Sequence, residues 1–361
     1  MMRKLAALLC LALLLLPHPA GAEAAETAYT IVDEKGDYVT HYLGQPEAGD
    51  EYIARDNGQY VIIRVDDAHH MAVAEARGTY QMPDVSWLHD DSQPVSARSQ
   101  RAVAIYCTHS DESYVPTDGD ASLTPRGGIY DVAEALKGNL EKQGVTVYYD
   151  TATHLPHDNA AYQRSRATAE RLLQKDVDAI FDVHRDGIED PDQYNTTIDG
   201  EAASMVRLLV GRSNQNADTN KAFAAELKAV ADELYPDLVR DIYIGKGTYN
   251  QDLFPRSVLL EFGTHTVSKE RAEAATAYMA ETIQKTLYGG VSGAAGSSEE
   301  RATAAQKKGA WTGVIWIIGI AAVGAAVYAL LSTGGMRPAL RQLKDGAREM
   351  GGGLFGKKNK E

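Results

Sequence analysis

Residues 102–112 read AVAIYCTHSDE, and residues 179–186 read AIFDVHRD. Each is a short apolar run that ends on a histidine followed within three residues by a carboxylate. A third run, SVLL at 257–260, ends on the carboxylate of Glu261. Short uninterrupted apolar runs suit strands buried on both faces. Between them the apolar spacing lengthens to that of helices. Ile129–Lys142 stops just before Gly144, a residue suited to ending a helix. VTVYY then reads as a strand and 160–174 as a helix. MVRLLVG at 205–211 is a strand, and Asn220–Leu234 and Lys269–Leu287 are helices. Strand–helix alternation over residues 101–288 predicts an α/β fold, a mainly parallel layered sheet with flanking helices.

Upstream, the pattern is shorter and β-like. YTIVDEKGDYVTHYLG, EYIARDNGQYVIIRVDD and MAVAEARG follow one another, with turn signals at Glu34-Lys35-Gly36-Asp37 and Asp56-Asn57-Gly58. Residues 23–100 are therefore expected to form a small antiparallel β module ahead of the α/β domain. His69 and His70 lie side by side there with no third ligand nearby, which suits a surface pair.

Two apolar segments set the expected compartment. Residues 1–22 carry Arg3 and Lys4, an apolar run from Leu5 to Leu16, and Ala20-Gly21-Ala22, the order of a cleaved signal peptide. Residues 311–331 (WTGVIWIIGIAAVGAAVYALL) hold no charge, and at about 1.5 Å per residue they reach about 30 Å, one hydrocarbon thickness. Seven Lys/Arg follow in the basic tail 332–361, which puts the C-terminus in the cytoplasm. The small, polar stretch 289–310 reads as a flexible linker. The expected arrangement is a single-pass protein of the cell membrane with its folded body extracytoplasmic.

The net charge of −14 is uneven: residues 1–22 carry +2 and 311–361 carry +4, leaving −20 on 23–310. Such an acidic body repels phosphate backbones and speaks against nucleic acid as a partner. With Cys10 and Cys107 the only cysteines, a disulfide scaffold and a four-cysteine zinc site are both excluded.

In layered parallel sheets ligands bind outside the carboxyl ends of strands. Three such ends carry Thr108-His109-Ser110-Asp111-Glu112, His184-Arg185-Asp186 and Glu261. Two imidazoles and a carboxylate can hold Zn²⁺ and leave a fourth position open. His109, Glu112 and His184 are the expected metal ligands. Glu261 is the expected catalytic base, taking a proton from water and passing it to a leaving nitrogen.

THSDESY, AIFDVHRDG, YNQDL and LLEFGT, in this order and at these separations, make the chain resemble the stage II sporulation protein P family of zinc-dependent cell-wall amidases, over most of residues 28–288. The resemblance implies hydrolysis of the amide between N-acetylmuramic acid and L-alanine in peptidoglycan, during septal thinning and engulfment in sporulation. It also implies stage II sporulation proteins D and M as partners. The family's HTHS-x-ESY segment falls on Cys107–Tyr114, keeping His109 and Glu112, while its first His is Cys107 here, read as a buried small side chain. FDVHRD matches 181–186 and EFG matches 261–263 without change. The wider amidase class draws its carboxylate ligand from the helix after the first strand, which leaves Asp131 and Glu134 as alternatives to Glu112. Arg185 is expected to meet a substrate carboxylate or carbonyl, and Asn250, with Gln251, to bond peptide amides. His265 suits a structural or relay role, and Arg164 and Arg166 suit surface ion pairs. The rival readings are a zinc endopeptidase acting on stem-peptide cross-links and a wall-binding scaffold without activity.

Overall fold

The structure, a computed structural model, describes residues 28–89, 101–158 and 160–289. The signal segment 1–22, the linker beyond Gly289, the apolar segment 311–331 and the tail 332–361 lie outside the described residues. Among the described residues no helix is long and apolar enough to cross a membrane.

Along the chain run β1 (Tyr29–Asp33), β2 (Tyr38–Tyr42), β3 (Glu51–Ile53), β4 (Gly58–Asp66), β5 (Met71–Thr79) and β6 (Ala102–Tyr106). Then come α1 (Ile129–Lys142), β7 (Thr146–Tyr149), α2 (Ala161–Leu172), β8 (Ala179–Asp186), β9 (Asn195–Ile198), β10 (Glu201–Ser204) and β11 (Val206–Gly211). The last elements are α3 (Ala217–Leu234), β12 (Val239–Gly245), β13 (Ser257–Thr264) and α4 (Lys269–Tyr288).

All strands but β9 and β10 form one 11-stranded sheet, ordered β2-β1-β5-β4-β3-β12-β11-β13-β8-β6-β7. Pairing is parallel from β7 through β6 and β8 to β13. β11 runs antiparallel to β13 and parallel to β12. The mainly parallel sheet expected for 101–288 is thus present. The N-terminal strands differ from expectation: β3 pairs with β12, Ile53 opposite Ile242, so they extend the same sheet instead of forming their own. β1 and β5 pair in parallel, which a purely antiparallel module does not contain.

The faces of the sheet differ. Val103, Ile105, Phe181, Val183, Leu208, Ile242, Val258 and Leu260 point to one side, against the apolar stripes of α1, α3 and α4. In α1 the stripe is Ile129, Val132, Ala133, Leu136 and Leu140, the spacing of a single helix face. Gly144, at φ +78°, ends the segment, its N–H donating to Glu141 O. Full burial of a side chain such as Leu136 contributes about 1.5–3 kcal/mol. The opposite face packs Ala104, Tyr106 and Ile180 against Ala169 and Leu172 of α2. It also carries the polar residues of the site.

Candidate metal and catalytic centre

β6, β8 and β13 are parallel neighbours, so their carboxyl ends open at one edge. In register, His184 on β8 lies beside Glu261 on β13, Glu261 beside Arg207 on β11, and Arg207 beside Asp241 on β12. Residues directly opposite on paired strands share a face, so these four side chains form one polar row across the sheet. Beyond Glu261 the β13–β8 register shifts, and Gly263 there adopts φ +72°, a left-handed conformation that glycine takes without a Cβ clash.

His109 and Glu112 come from the turn after β6, whose main chain is closely held. Gly127 N–H donates to Ser110 O and Ile129 N–H to Glu112 O. A Cβ on Gly127 would lie 2.0 Å from Glu112 O, so only glycine allows this approach. Asp182 on β8 fixes the turn from below, accepting from Thr108 N–H at 2.8 Å and from Thr108 Oγ1 at 2.6 Å.

Glu112, buried, is the hub. Its Oε1 lies 3.0 Å from His109 Nδ1 and 3.3 Å from His184 Nδ1, and its Oε2 accepts from Arg185 N–H at 3.0 Å. The His109 and His184 rings meet edge to face at 4.8 Å. His157, from the loop between β7 and α2, stacks on His109 at 3.9 Å, and its Nδ1 is 3.0 Å from Asp111 Oδ1. One donor atom each of His109, Glu112 and His157 lie within 4.8 Å of one another. The sequence reading omitted His157, which stands in no recognisable motif.

Burial alone would push the Glu112 carboxyl up, but the charge on His184 and the imidazole bonds outweigh it and hold it well below the usual carboxylate range. Burial would likewise lower His184, but Asp182 and Glu112 hold it well above the ordinary imidazole value. His184 thus lies between two carboxylates that favour its charged form. Its Nε2 is 2.9 Å from Asp182 Oδ1 but is not aligned for a hydrogen bond, and stays buried without one. A buried carboxylate ringed by imidazoles, with donor atoms of His109, Glu112 and His157 already grouped, fits a divalent cation of zinc's ligand preference. Such an ion would replace the proton on His184.

Glu261 is pushed well above the usual carboxylate range, by burial first and then by Asp186; Arg207 and His184 pull the other way. Tyr194 hydroxyl donates to Asp186 Oδ2 at 2.6 Å and lies 3.4 Å from Glu261 Oε2. Arg207, fully buried, donates to Asp186 at 3.0 Å and to both Asp241 oxygens at 2.7 and 3.1 Å. Glu261 is thus flanked on one side by the donor cluster and on the other by a salt-bridged network.

Arg185, Asn250 and Gln251 are engaged within the fold. Arg185 does not offer its guanidinium to a ligand: Nε donates to Ser113 O at 3.1 Å and an Nη to Ala121 O at 2.7 Å, tying the turn down. Asn250 is committed as well, its Nδ2 donating to Tyr162 O and Ser165 Oγ, both at 3.0 Å. Gln251 bridges Gly211 N–H and Leu209 O, extending the edge of β11. Asp131 and Glu134 sit on the exposed side of α1, paired with Lys269 and Lys137, away from the imidazoles. β6 ends at Tyr106, so Cys107 turns into the apolar core as a free thiol while His109 faces the cluster. His265 Nε2 is 3.5 Å from Glu189, outside the donor set. Arg164 pairs with Asp158 and Arg166 with Asp252. His69 pairs with Asp66 on the surface.

Comparison with known proteins adds the following. The family model described as Stage II sporulation protein P (SpoIIP) matches residues 47–284 of the 361. A Stage II sporulation protein P of Bacillus subtilis (strain 168) is 30% identical over 183 residues, which span 45% of this chain and 45% of that relative. Among solved structures, the N-acetylmuramoyl-L-alanine amidase AmiC2 of Nostoc punctiforme is 15% identical with a TM-score of 0.33, over 52% of this chain and 94% of that one. The CwlD amidase from Clostridioides difficile, solved in complex with the GerS lipoprotein, is 15% identical with a TM-score of 0.35, over 52% and 98%. At these identities and TM-scores the two likenesses assign no activity to this chain.

Proposed function

This chain belongs to the stage II sporulation protein P family, and from that premise we propose that it is a zinc-dependent hydrolase of peptidoglycan. The bond cut is the amide between N-acetylmuramic acid and L-alanine. One observation carries the reading. His184 and Glu261 stand side by side in register, and His184 shares an oxygen of Glu112 with His109.

His109, Glu112 and His184 would hold the metal. When bound, zinc supplies a Lewis acid that polarises water and the substrate carbonyl. Glu261, next to His184, accepts the proton of the attacking water and returns it to the departing amine. A carboxyl raised by burial and by Asp186 suits a group that takes up a proton and gives it back. Asp182, whose charge lies beside the His184 ring, holds through Thr108 the turn that carries His109. The same reading puts the body outside the cell, where peptidoglycan is, tethered through residues 311–331.

The test is digestion of purified sacculi by the full chain in detergent, with and without a chelator, followed by mass analysis of the fragments. Glycan chains freed of stem peptides, lost on chelation and lost in Glu261→Gln with zinc retained, are the expected outcome. Split cross-bridges would instead identify an endopeptidase. Digestion by Glu261→Gln at the wild-type rate would remove Glu261 from its role.

A further inference from the structure

Resting on that reading, we infer that His157 is a fourth donor to the same metal, and that it closes the resting site and has to leave before substrate can bind. Three observations carry this. First, His157 already belongs to the donor set: its ring stacks on His109 at 3.9 Å, the planes 26° apart, and a donor atom lies within 4.8 Å of those of His109 and Glu112. Second, it has the support that metal-ligating imidazoles have. One ring nitrogen, Nδ1, is held 3.0 Å from Asp111 Oδ1, and Asp111 is itself buried and fixed by Ser122 Oγ. A carboxylate on one ring nitrogen orients the ring and strengthens the other nitrogen as a ligand.

Third, the donors differ in how firmly they are placed. The side chain of His184 is 3% exposed, Glu112 4% and His109 18%, whereas His157 is 33% exposed. His184 is inside a central strand, and His109 and Glu112 are on a turn bound to two neighbouring segments. His157 is on the connection between β7 and α2, outside any regular element. A catalytic zinc needs an open position, and four protein ligands leave none in a tetrahedral site. Of the four, His157 is the donor that can withdraw at least cost, towards solvent.

A donor that must be displaced raises metal affinity and lowers the affinity of anything that competes for its position. The two effects have opposite signs, and that separates this role from a merely structural one. The full chain is loaded with Co²⁺ in place of zinc. Metal affinity is measured by competition with a chromophoric chelator, and binding of acetohydroxamate, a small metal-directed ligand, is followed in the visible spectrum. His157→Ala and the milder His157→Gln are expected to bind the metal about tenfold more weakly or worse. Both are expected to bind acetohydroxamate several-fold more tightly than wild type. Asp111→Asn should move both quantities the same way by less. Unchanged metal affinity overturns the inference, and so does weakening of both affinities together, the mark of a disturbed fold. A wild-type chain that takes up no metal would instead overturn the proposed function.

Discussion

Two buried polar clusters share one face of the central sheet and meet at Glu261. On one side stand His109, Glu112, His157 and His184; on the other, Asp186, Arg207, Arg240 and Asp241. The second cluster completes itself. Arg207 serves Asp186 and Asp241 as well as Thr40 Oγ1 and His41 O, and Arg240 serves Asp241 and Gln193. Two permanent cations face two carboxylates, with nearly every donor used. The first cluster holds only groups that gain or lose protons, and it leaves His184 Nε2 unsatisfied. The Arg–Asp cluster is framework, and the His–Glu cluster is the one to which the proposed function assigns a cation. Glu261 takes its stiffness from one and its chemistry from the other.

The largest expected effect breaks the framework side. Arg207→Met keeps the volume of a fully buried side chain but leaves Asp186 and Asp241 without their shared partner. Removing one member of a buried ionic network costs about 3–5 kcal/mol, so denaturant unfolding should show a loss of that size. A loss below about 1 kcal/mol would mean that water or Arg240 takes over.

Acid sharpens the same contrast. Burial would raise the Asp241 carboxyl, but Arg207 and Arg240 prevail and hold it below its ordinary value. A carboxylate lowered on folding stabilises the fold above its unfolded pKa, about 4, and that contribution is lost as pH falls through the folded value. The stability gap between wild type and Arg207→Met should therefore be widest near neutrality and narrow below about pH 4. A gap that stays constant on acidification would exclude Asp241 as its source.

The same contrast governs what the sequence disclosed. Apolar runs with clean periods mark β6, β7, β8, β11 and β13 and helix α1 over Ile129–Lys142, because there burial and pattern agree. β12 went unseen because its first residues, Val239-Arg240-Asp241, look like a polar loop; the two charges are buried only because they pair with each other and with Arg207. The attachment of β3 to β12 is invisible in a local pattern, since neither edge announces its neighbour. His109, Glu112, His184 and Glu261 stood at strand ends, where the rule for layered sheets directs attention. His157 sits in a connection with no period, and only the chain's return past β6 brings it to His109. Arg185 and Asn250 were read as substrate contacts because their side chains suit amides and carboxylates. The same chemistry suits the main-chain carbonyls they hold.

The smallest expected effect is on the receiving side. Glu112→Gln removes a buried negative charge at constant shape, as drastic on paper as the loss of Arg207. The neighbours here can answer, because an imidazole can exchange its proton when a charge beside it is lost, whereas an arginine has no such exit. Gln keeps an oxygen for Arg185 N–H. Measured without metal, the variant should lose at most about 2 kcal/mol, the scale of one charge-assisted hydrogen bond. Measured with zinc, the gain in stability that ligand binding brings to wild type should largely vanish. If metal-free Glu112→Gln instead unfolds as readily as Arg207→Met, the His–Glu cluster is framework too, and the division drawn between the two sides of Glu261 fails.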